Sequence, residues 1–488
     1  MRRMIHVFAV VLLSAFSLTV GWPGKPALAT DSTIQLPVGQ RQLFLDDVGI
    51  AKIENLQRTM HQPDKKGAVI RPDWNASETA LYITSAPNWD PDANVFKLLV
   101  ADIGGATTRY TIRQSKDGLH WSQLGKPTLD FYTMVYDGTD PDPARRYKAF
   151  LPNKGFAVSP DALTWTMLDV PAVSSSDEWN FSFDPKTHQF IATVKVGGPY
   201  GRSHAVSTSK DFVNWTNPEL TFHADERDQE LGRIYIERRR NNPNLQQARF
   251  HTPAKYHVDI YNFAAFRYEG IYIGLPMMFY QTGPHPKYPN QDGYEEIQIV
   301  CSRDLQNWKR LGDRAAFIPT SPLGAGAYDV GQVTSPSNAV VRGDELWFYY
   351  SGFKGTHEDM DYVGEYPNGQ MVLDPSRDLD KSAVCLAVLR RDGFISLDAG
   401  EQAGTIQTEP FKVSGDQLLV NVNALKGELR VEMLDGVGQV VAQSKPLTGD
   451  LPREPVKWAK GNIAELKGQI VSLRFILRNG QFYSYWLQ

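Results

Sequence analysis

The chain repeats a short phrase that begins with a serine, has an aspartate two residues after that serine and has a tryptophan six residues after it. Four copies stand at 115–121, 159–165, 209–215 and 302–308, and a fifth at 391–395 keeps the aspartate but lacks the tryptophan. A unit that returns in this way predicts a repeat fold, in which each copy marks the same place in successive structural units.

The aspartate of this phrase is interpreted as structural. Its carboxylate can accept hydrogen bonds from the backbone N–H groups two and three residues further on, which closes a tight turn. The segments before the turns alternate polar and apolar residues as strands do, for example at 108–113, 203–207 and 296–300. Each turn is therefore expected to join two antiparallel strands, and its aspartate is not expected to be catalytic.

Each unit offers about four strands, and four-stranded units arranged around an axis are the blades of a β-propeller. Beyond residue 404, strands separated by Gly or Asp turns predict a small β-sandwich. The fold class is therefore all-β: a five-bladed β-propeller over 30–403, followed by a C-terminal β-sandwich over 404–488. The segment 41–60 is predicted to supply a strand that closes the ring. The five units start near Glu78, Val135, Asp177, Asp259 and Asp329.

The first 29 residues predict a signal peptide. Arg2 and Arg3 precede an apolar stretch at 5–20, and residues 27–29 form a small-x-small cleavage site. A membrane anchor is the alternative, because the stretch is close to the shortest that spans a bilayer. No later segment is long and apolar enough to span one, so the mature chain is expected in the periplasm or outside the cell.

The charge balance argues against one class of partner. The chain has 51 basic and 55 acidic residues, a net charge of −4. Three basic residues and no acidic ones lie in 1–29, so their removal leaves 48 basic against 55 acidic residues, or −7. Neither nucleic acid nor an anionic membrane is an expected partner of such a chain.

The two cysteines, Cys301 and Cys385, each stand in an apolar run. An exported protein can pair two cysteines in a disulfide, but two thiols do not make a disulfide framework. Two buried thiols are therefore favoured over a bridge.

The repeats are unevenly spaced. Trp121, Trp165 and Trp215 are 44 and 50 residues apart, whereas Trp308 follows Trp215 by 93 residues. The excess falls at 216–257, which is rich in charged and amide side chains. Long connections in compact domains are commonly functional loops or disordered segments. The first of these is favoured, and the segment is predicted to form a wall of the site.

Several phrases resemble those of five-bladed β-propeller glycoside hydrolases, the invertase-like and arabinanase-like families numbered 32 and 43. They stand at 43–47, 259–262, 312–319, 343–350 and 391–394, and with the repeated turns they extend the resemblance over nearly the whole mature chain. The chain is similar to an exported branch of this superfamily. The resemblance implies a funnel at one end of the propeller axis, where carboxylates from the first strands of different blades act on a carbohydrate.

Cleavage of a glycosidic bond needs one carboxylic acid to protonate the leaving oxygen and a second carboxylate to act as nucleophile or to activate water. Acids placed just before the first strand of a blade would converge at the axis. The alternative for each of them is a structural role at a turn on the edge of a blade. The catalytic candidates are Glu78, Glu178, Asp259 and Asp329.

The substrate-binding candidates come from the same regions. Asp177 neighbours a candidate acid, Asp47 ends an N-terminal strand, and Trp74 lies close enough to the first candidate acid to stack on a sugar ring. Arg202 follows a Gly-rich turn and suits an acidic or sulfated sugar, and His357 follows an apolar strand near the funnel. The alternatives are a surface position for the arginine, a loop position for the histidine and a core position for the tryptophan.

These features predict an exported glycoside hydrolase that acts on polysaccharide or oligosaccharide. One alternative is a non-catalytic carbohydrate-binding propeller, with an aromatic funnel and at most one acid. Another is a sugar lyase or phosphorylase on the same scaffold; a phosphorylase would place Arg202 and His357 beside Asp259. No metal and no cofactor are predicted, since the sequence has neither zinc spacing nor a phosphate-binding loop.

Overall fold

The computed structural model describes residues 33–488 apart from 105–106, 285–290, 325 and 358–379. The predicted signal peptide at 1–29 therefore lies outside the described residues. The described chain is built mainly of β-strands in five hydrogen-bonded sheets, with one α-helix within those ranges. No helix in this part of the protein combines the length and the apolar character that a membrane crossing requires.

Three separate sheets follow one another along the chain. Each is antiparallel, and its main strands pair in sequence order. In each sheet the repeated phrase joins the last two strands, as the sequence predicts. The strands are Leu81–Tyr82, Asn88–Asp90, Val95–Asp102, Arg109–Ser115 and Ser122–Gly125 in the first sheet, Thr133–Tyr136, Tyr147–Leu151, Gly155–Ser159 and Thr166–Met167 in the second, and Trp179–Asp184, Gln189–Gly198, Gly201–Ser209 and Glu219–Phe222 in the third.

The fourth sheet has ten strands and contains two further groups of strands. One parallel pairing, Glu295 with Gln332, joins the two groups into one sheet. The strands of the first group are His257–Tyr268, Ile271–Pro284, Gln291–Ile297, Val300–Ser302 and Lys309–Arg310, and those of the second are Gln332–Val333, Val340–Arg342, Glu345–Phe353, Ser382–Arg390 and Asp64–Ile70.

The outermost strand of the second group comes from the start of the chain. Asp64–Ile70 pairs antiparallel with Ser382–Arg390. The prediction that 41–60 supplies this strand is wrong, because the strands of that segment pair with C-terminal strands instead. Apolar packing explains the difference: Phe44 and Ile53 of the segment pack in the core of the C-terminal sheet.

The fifth sheet has twelve strands drawn from both ends of the chain. The segment predicted as a sandwich, 404–488, thus shares a sheet with Ile395–Ala399 and with three N-terminal strands. Its core is a buried cluster that includes Val420, Val431 and Phe475. The strands are Gln42–Leu43, Ile50–Glu54, Gln57–Met60, Ile395–Ala399, Gly404–Thr408, Phe411–Lys412, Leu418–Leu434, Val440–Ser444, Leu447–Pro455, Trp458–Lys460, Ile470–Arg478 and Gly480–Leu487.

The four full copies of the repeated phrase form the same turn. In each copy, Oδ1 of the aspartate accepts hydrogen bonds of 2.7 to 2.9 Å from the backbone N–H groups two and three residues on. The serine Oγ accepts a bond of 2.9 Å from the N–H three residues on. The structural role predicted for these aspartates is confirmed. The residue after each aspartate has a left-handed backbone, with φ of +62° to +79°, at Gly118, Ala162, Phe212 and Leu305.

Replacing one of these aspartates is expected to weaken the fold modestly. Asp211→Ala should lower the free energy of unfolding by about 1 kcal/mol at neutral pH, because two backbone N–H groups lose their acceptor. Hydrogen bonds, chiefly from the backbone of Asn214, hold the pKa of Asp211 below its usual range. Its contribution is therefore present above the unfolded-state pKa of about 4 and is lost as the pH falls.

Urea unfolding of the wild-type and Asp211→Ala proteins measures this difference. The gap between them should shrink from pH 7 to about pH 2 as the carboxylate takes up its proton. A gap of the same size at both pH values would contradict the role given to the ionised carboxylate.

The long connection at 216–257 contains the α-helix Glu226–Arg240. Asp225 begins the helix with a capping box, which satisfies two of the backbone N–H groups that a helix start leaves unbonded. Near the other end, Arg239 is buried and donates a hydrogen bond of 2.6 Å to Thr320. Arg314 donates hydrogen bonds of 2.6 and 2.8 Å to Asp225 at the helix start, so the helix is fixed against its neighbours at both ends. Short 3-10 helices lie at Trp74–Ala76, Pro143–Arg145, Pro253–Lys255, Gly312–Arg314 and Ile463–Leu466.

The two cysteines are buried free thiols that form no disulfide, as the sequence favours. Burial raises the pKa of Cys301 to about 12 and also raises that of Cys385. Since the thiolate is the reactive form of cysteine, both side chains are packing groups at neutral pH.

Candidate active site

A cavity of about 280 Å³ lies where the first strands of the sheets begin. The first three sheets and both groups of the ten-stranded sheet contribute side chains to it. Residues two apart, such as Tyr82 and Thr84, share one face of a strand, which brings several of them onto the cavity. The lining residues are Tyr82, Thr84, Ile103, Tyr132, Asp177, Glu178, Trp179, Tyr261, Met277, Gln332, Thr334, Phe353 and His357.

Glu178 is a half-buried carboxyl in this lining. It stands directly before the strand Trp179–Asp184, and its Oε2 accepts hydrogen bonds from the Tyr82 hydroxyl (3.0 Å) and the Asn262 amide (2.7 Å). Burial raises the pKa of Glu178, while Lys195 and the two hydrogen bonds oppose that rise. A carboxyl that keeps its proton above the ordinary range is suited to act as an acid.

Asp177, the preceding residue, lies in a different environment. Its side chain is 64% exposed, and its Oδ1 is 2.6 Å from Nζ of Lys195, whose side chain is only 4% exposed. Two neighbouring carboxyls therefore have different environments: Glu178 is half-buried among aromatic side chains, and Asp177 is exposed and ion-paired. Pairs of this kind are how sites assign different roles to two acids.

Tyr261 reaches the cavity through a β-bulge. The register between His257–Tyr268 and its partner strand shifts at this residue, and a bulge re-aims the side chain that it carries. The Tyr261 ring has Lys195 Nζ 3.9 Å from its centroid, the Arg202 guanidinium at 5.6 Å and the His357 ring packed edge-on at 4.8 Å. The bulge therefore places one phenol ring among three nitrogen-bearing side chains.

Two of those side chains contact buried carboxylates. Arg202 donates to Oδ2 of Asp259 at 3.0 Å, and Nδ1 of His357 lies 2.8 Å from Oε1 of Glu295. Asp259 is 2% and Glu295 0% exposed. Burial raises the pKa of Glu295, and His357 opposes that rise. A second acidic layer thus lies directly behind the Tyr261 ring.

The structure brings some of the sequence candidates together. Asp177, Glu178 and His357 line the cavity, and the Arg202–Asp259 pair lies beside it. Asp177 and Glu178 precede the first strand of the third sheet, Arg202 lies in the same sheet, and Asp259 and His357 come from the ten-stranded sheet or its connections.

Other candidates lie elsewhere, in buried contacts. Glu78 is ion-paired with Arg113 and accepts a backbone hydrogen bond of 2.9 Å that closes a local turn. Asp329 accepts hydrogen bonds from Lys65 (2.6 Å) and from the hydroxyl of Tyr350 (2.8 Å). Neither acid lines the cavity, so Glu78, Asp259 and Asp329 do not form one catalytic group there. Their contacts match the structural alternative stated for such acids.

The remaining candidates are not part of this lining. Asp47 is exposed, and a hydrogen bond from Arg58 lowers its pKa. Trp74 begins a 3-10 helix, but its side chain lies outside the described residues. The residues that line the cavity include none from 216–257. The segment predicted to form a wall of the site therefore does not line this cavity.

Sequence reasoning missed most of the polar and aromatic lining. Lys195 could have been recognised from the sequence, because a lysine inside the apolar strand Gln189–Gly198 is expected to be buried and paired. Glu295 could not, because Glu295 and Glu296 together resemble the exposed face of a strand. In the described ranges no three His, Cys, Asp or Glu residues are grouped to hold a metal ion. The missed lining residues are Tyr82, Tyr132, Tyr261 and Gln332, and the missed partners of lining residues are Lys195 and Glu295.

No protein-family model and no curated protein match the chain. Solved structures similar to it include the catalytic domain of a GH62 α-L-arabinofuranosidase from Coprinopsis cinerea, with a TM-score of 0.40, 11% identity and coverage of 67% of this chain and 97% of that chain. A GH32 β-fructofuranosidase from Bombyx mori has a TM-score of 0.38 and 10% identity, covering 88% and 94%. A GH43 arabinoxylan arabinofuranohydrolase from Bacillus subtilis has a TM-score of 0.32 and 8% identity, covering 86% and 99%.

Proposed function

We propose that the chain is an exported glycoside hydrolase that cleaves a polysaccharide or oligosaccharide in the cavity around Glu178. The five groups of strands are the blades of a five-bladed propeller, the twelve-stranded sheet that includes 404–488 is a sandwich, and 1–29 is removed on export. The observation that carries the proposal is Glu178 itself, a carboxyl with a raised pKa in an aromatic cavity.

In this mechanism Glu178 is the general acid. The glycosidic C–O bond breaks as the Glu178 proton passes to the leaving oxygen, and Asp177 either attacks the sugar carbon or takes a proton from the attacking water. Tyr82 and Asn262 both donate to Oε2 of Glu178, so they fix the carboxyl. Lys195 holds Asp177 at 2.6 Å and positions the second carboxylate.

The rest of the cavity suits a sugar. Aromatic rings offer flat apolar faces to the C–H faces of a pyranose or furanose ring, and Gln332 and Thr334 add hydrogen-bonding groups. An aromatic funnel with two lining carboxyls favours the hydrolase over the binding-only alternative, for which at most one acid is expected. The aromatic members are Tyr82, Tyr132, Trp179, Tyr261 and Phe353.

Phosphorolysis, in which inorganic phosphate replaces water, is a second candidate. Arg202 contacts Asp259 at 3.0 Å, and both Arg202 and His357 pack on the Phe279 ring, at 5.4 and 4.4 Å. This is the grouping expected for a phosphorylase. Because Asp259 already engages the guanidinium, we favour hydrolysis.

A panel of neutral and acidic oligosaccharides and polysaccharides tests both candidates, with and without inorganic phosphate. Hydrolysis predicts new reducing ends from the wild type at any phosphate concentration, formed about 10²- to 10⁴-fold more slowly by Glu178→Gln. Phosphorolysis predicts a sugar phosphate that forms only when phosphate is present. Glu219→Gln, on the exposed edge strand of the same sheet, is the matched control. Binding without turnover by the wild type would refute the hydrolase and support a binding propeller.

Lys195→Met is expected to move the basic limb of the pH–rate profile to higher pH by about one unit. Lys195 lowers the pKa of Glu178, so its removal lets burial raise that pKa further. A general acid works only while protonated, and activity then persists to higher pH. Methionine keeps an unbranched side chain against Tyr261.

The measurement is kcat/KM against pH for the wild type, Lys195→Met and Lys186→Met, whose lysine is 64% exposed in a turn of the same sheet. The control should follow the wild type. An unmoved limb, or one that moves to lower pH, would contradict the placement of Lys195 beside the acid.

A further inference from the structure

A second cavity, of about 550 Å³, lies further along the same first strands. The second sheet passes from Tyr132 in the first cavity to Met134 in the second, and the third sheet from Trp179 to Phe181. Since a strand rises about 3.3 Å per residue, only about 7 Å of backbone separates the two linings. The second cavity therefore lies toward the opposite end of the same axis, on the side where those strands end.

One wall of this second cavity carries an exposed indole. Trp89 is 40% exposed and packs edge-on against Phe96, with ring centroids 4.8 Å apart. Val341, 44% exposed, belongs to the same lining. Large apolar side chains left exposed at a concave surface mark a binding site, and a tryptophan face is a stacking surface for a sugar ring.

The charged residues in this lining are Lys116 and Arg342, and no Asp or Glu is among the described residues that form it. The Arg342 guanidinium lies 5.2 Å from the ring centroid of Phe96 and 5.0 Å from that of Trp347, so uncharged rings hold it. Glu345, across the hairpin from Arg342, is outside the lining and accepts a hydrogen bond of 2.7 Å from Trp347.

This local charge is opposite to that of the chain as a whole, which is −4. A concave surface with two cations and no lining acid, in a protein of net negative charge, is complementary to an anion. The exposed indole adds selectivity for a ring with an apolar face. The two cations and the indole together are more complementary to an acidic sugar than to a neutral sugar or a small inorganic anion.

We propose that this cavity binds an acidic saccharide, with a ring stacked on Trp89 and its carboxylate or sulfate paired with Lys116 and Arg342. The site anchors a glycan at the end of the axis away from Glu178 and needs no turnover there. The proposal goes beyond the hydrolase function, because it stands or falls on binding alone.

Isothermal titration of the full chain with defined oligosaccharides tests this proposal. Chondroitin and chondroitin sulfate oligosaccharides differ only in sulfate, oligogalacturonate carries only carboxylate, and a β-glucan oligosaccharide is neutral. Titrating both the wild type and Glu178→Gln keeps catalysis out of the measurement. Binding to both chondroitins or to oligogalacturonate identifies the carboxylate as sufficient, and binding to the sulfated form alone identifies the sulfate.

The variants are Trp89→Ala, Trp89→Tyr and the double variant Lys116→Gln with Arg342→Gln. Loss of the ring or of the two charges is expected to weaken binding about tenfold or more, and Trp89→Tyr should restore most of it. Added salt should weaken binding to the wild type. Lys126→Gln is the matched control and should bind as the wild type does, because Lys126 is exposed directly after the last strand of the first sheet and is not part of the lining.

Equal affinity for the neutral oligosaccharide, or unchanged affinity in both the Trp89→Ala and the double variant, would overturn the proposal. So would the absence of binding to all three acidic ligands. These outcomes are separate from those of the catalytic test. If the wild type binds acidic saccharides without turnover, only the hydrolase proposal is contradicted. If it hydrolyses glycans but shows no Trp89-dependent binding, only the proposal for this second cavity is contradicted.

Discussion

Glu178→Gln is expected to lower kcat on a natural glycan about 10²- to 10⁴-fold, the usual contribution of a general acid. KM should change little, because glutamine keeps the shape of the side chain. Oε2 of Glu178 accepts both the Tyr82 and the Asn262 hydrogen bonds, and one amide oxygen can accept the same two. The variant therefore removes the transferable proton and leaves the cavity in place.

A change of leaving group separates the acid from other roles of Glu178. An aryl glycoside whose phenol leaves without protonation needs little help from an acid, so Glu178→Gln should lose much less activity on it than on the natural glycan. If Glu178 were the nucleophile instead, both substrates would lose activity alike. Equal losses would therefore contradict the general-acid role while keeping Glu178 in the site.

The stability of the same variant provides an internal control. The folded-state pKa of Glu178 is raised by burial, so in the wild type stability falls as the pH rises through the interval between the unfolded and the folded pKa. Glutamine does not ionise and avoids this loss. Glu178→Gln should therefore be at least as stable as the wild type at neutral pH, and inactivity caused by unfolding would be recognised at once.

Asp392→Ala is expected to have the largest effect on stability, about 3–5 kcal/mol. Asp392 belongs to the fifth, shortened copy of the repeat and is completely buried. Its carboxylate accepts hydrogen bonds from Arg41 (2.5 Å), Tyr268 (2.6 Å) and Asn421 (3.3 Å). Ser484 donates to it as well. Alanine leaves all these donors buried, including the Arg41 guanidinium, whose charge loses its partner.

Denaturant unfolding of the wild type and Asp392→Ala measures this effect. Asp416→Asn is the control: Asp416 also pairs with a cation, Lys467 at 2.7 Å, but its side chain is 65% exposed. An exposed pair contributes between zero and about 1 kcal/mol, so the control should unfold close to the wild type. Asp392→Ala unfolding within about 1 kcal/mol of the wild type would show that the donors find other acceptors.

The repeated phrase was the part of the fold that sequence could predict best. Its hydrogen bonds join residues two or three apart, so short-range chemistry alone determines the turn. The acids just before first strands pointed to this cavity through one pair, since Asp177 and Glu178 line it whereas Glu78, Asp259 and Asp329 do not. What a strand start cannot show is which side of the sheet an acid faces.

Glu78 and Asp329 illustrate that limit. Each precedes a first strand, as Glu178 does, but each is bound by a cation that comes from another part of the chain: Arg113 for Glu78 and Lys65 for Asp329. Long-range partners of this kind leave no local pattern. Tyr261 was hidden for a related reason, since the bulge that turns its ring into the cavity depends on the register of the neighbouring strand.

The pairing of Asp64–Ile70 with Ser382–Arg390 has a consequence for how the protein reaches its fold. The two strands are more than 300 residues apart, so a segment synthesised early must wait for its partner until most of the chain has emerged. Contacts of such long range slow folding, and an unpaired edge is open to other chains meanwhile. Until Ser382–Arg390 has been synthesised, each partly folded chain therefore presents the unpaired edge of Asp64–Ile70 to its neighbours.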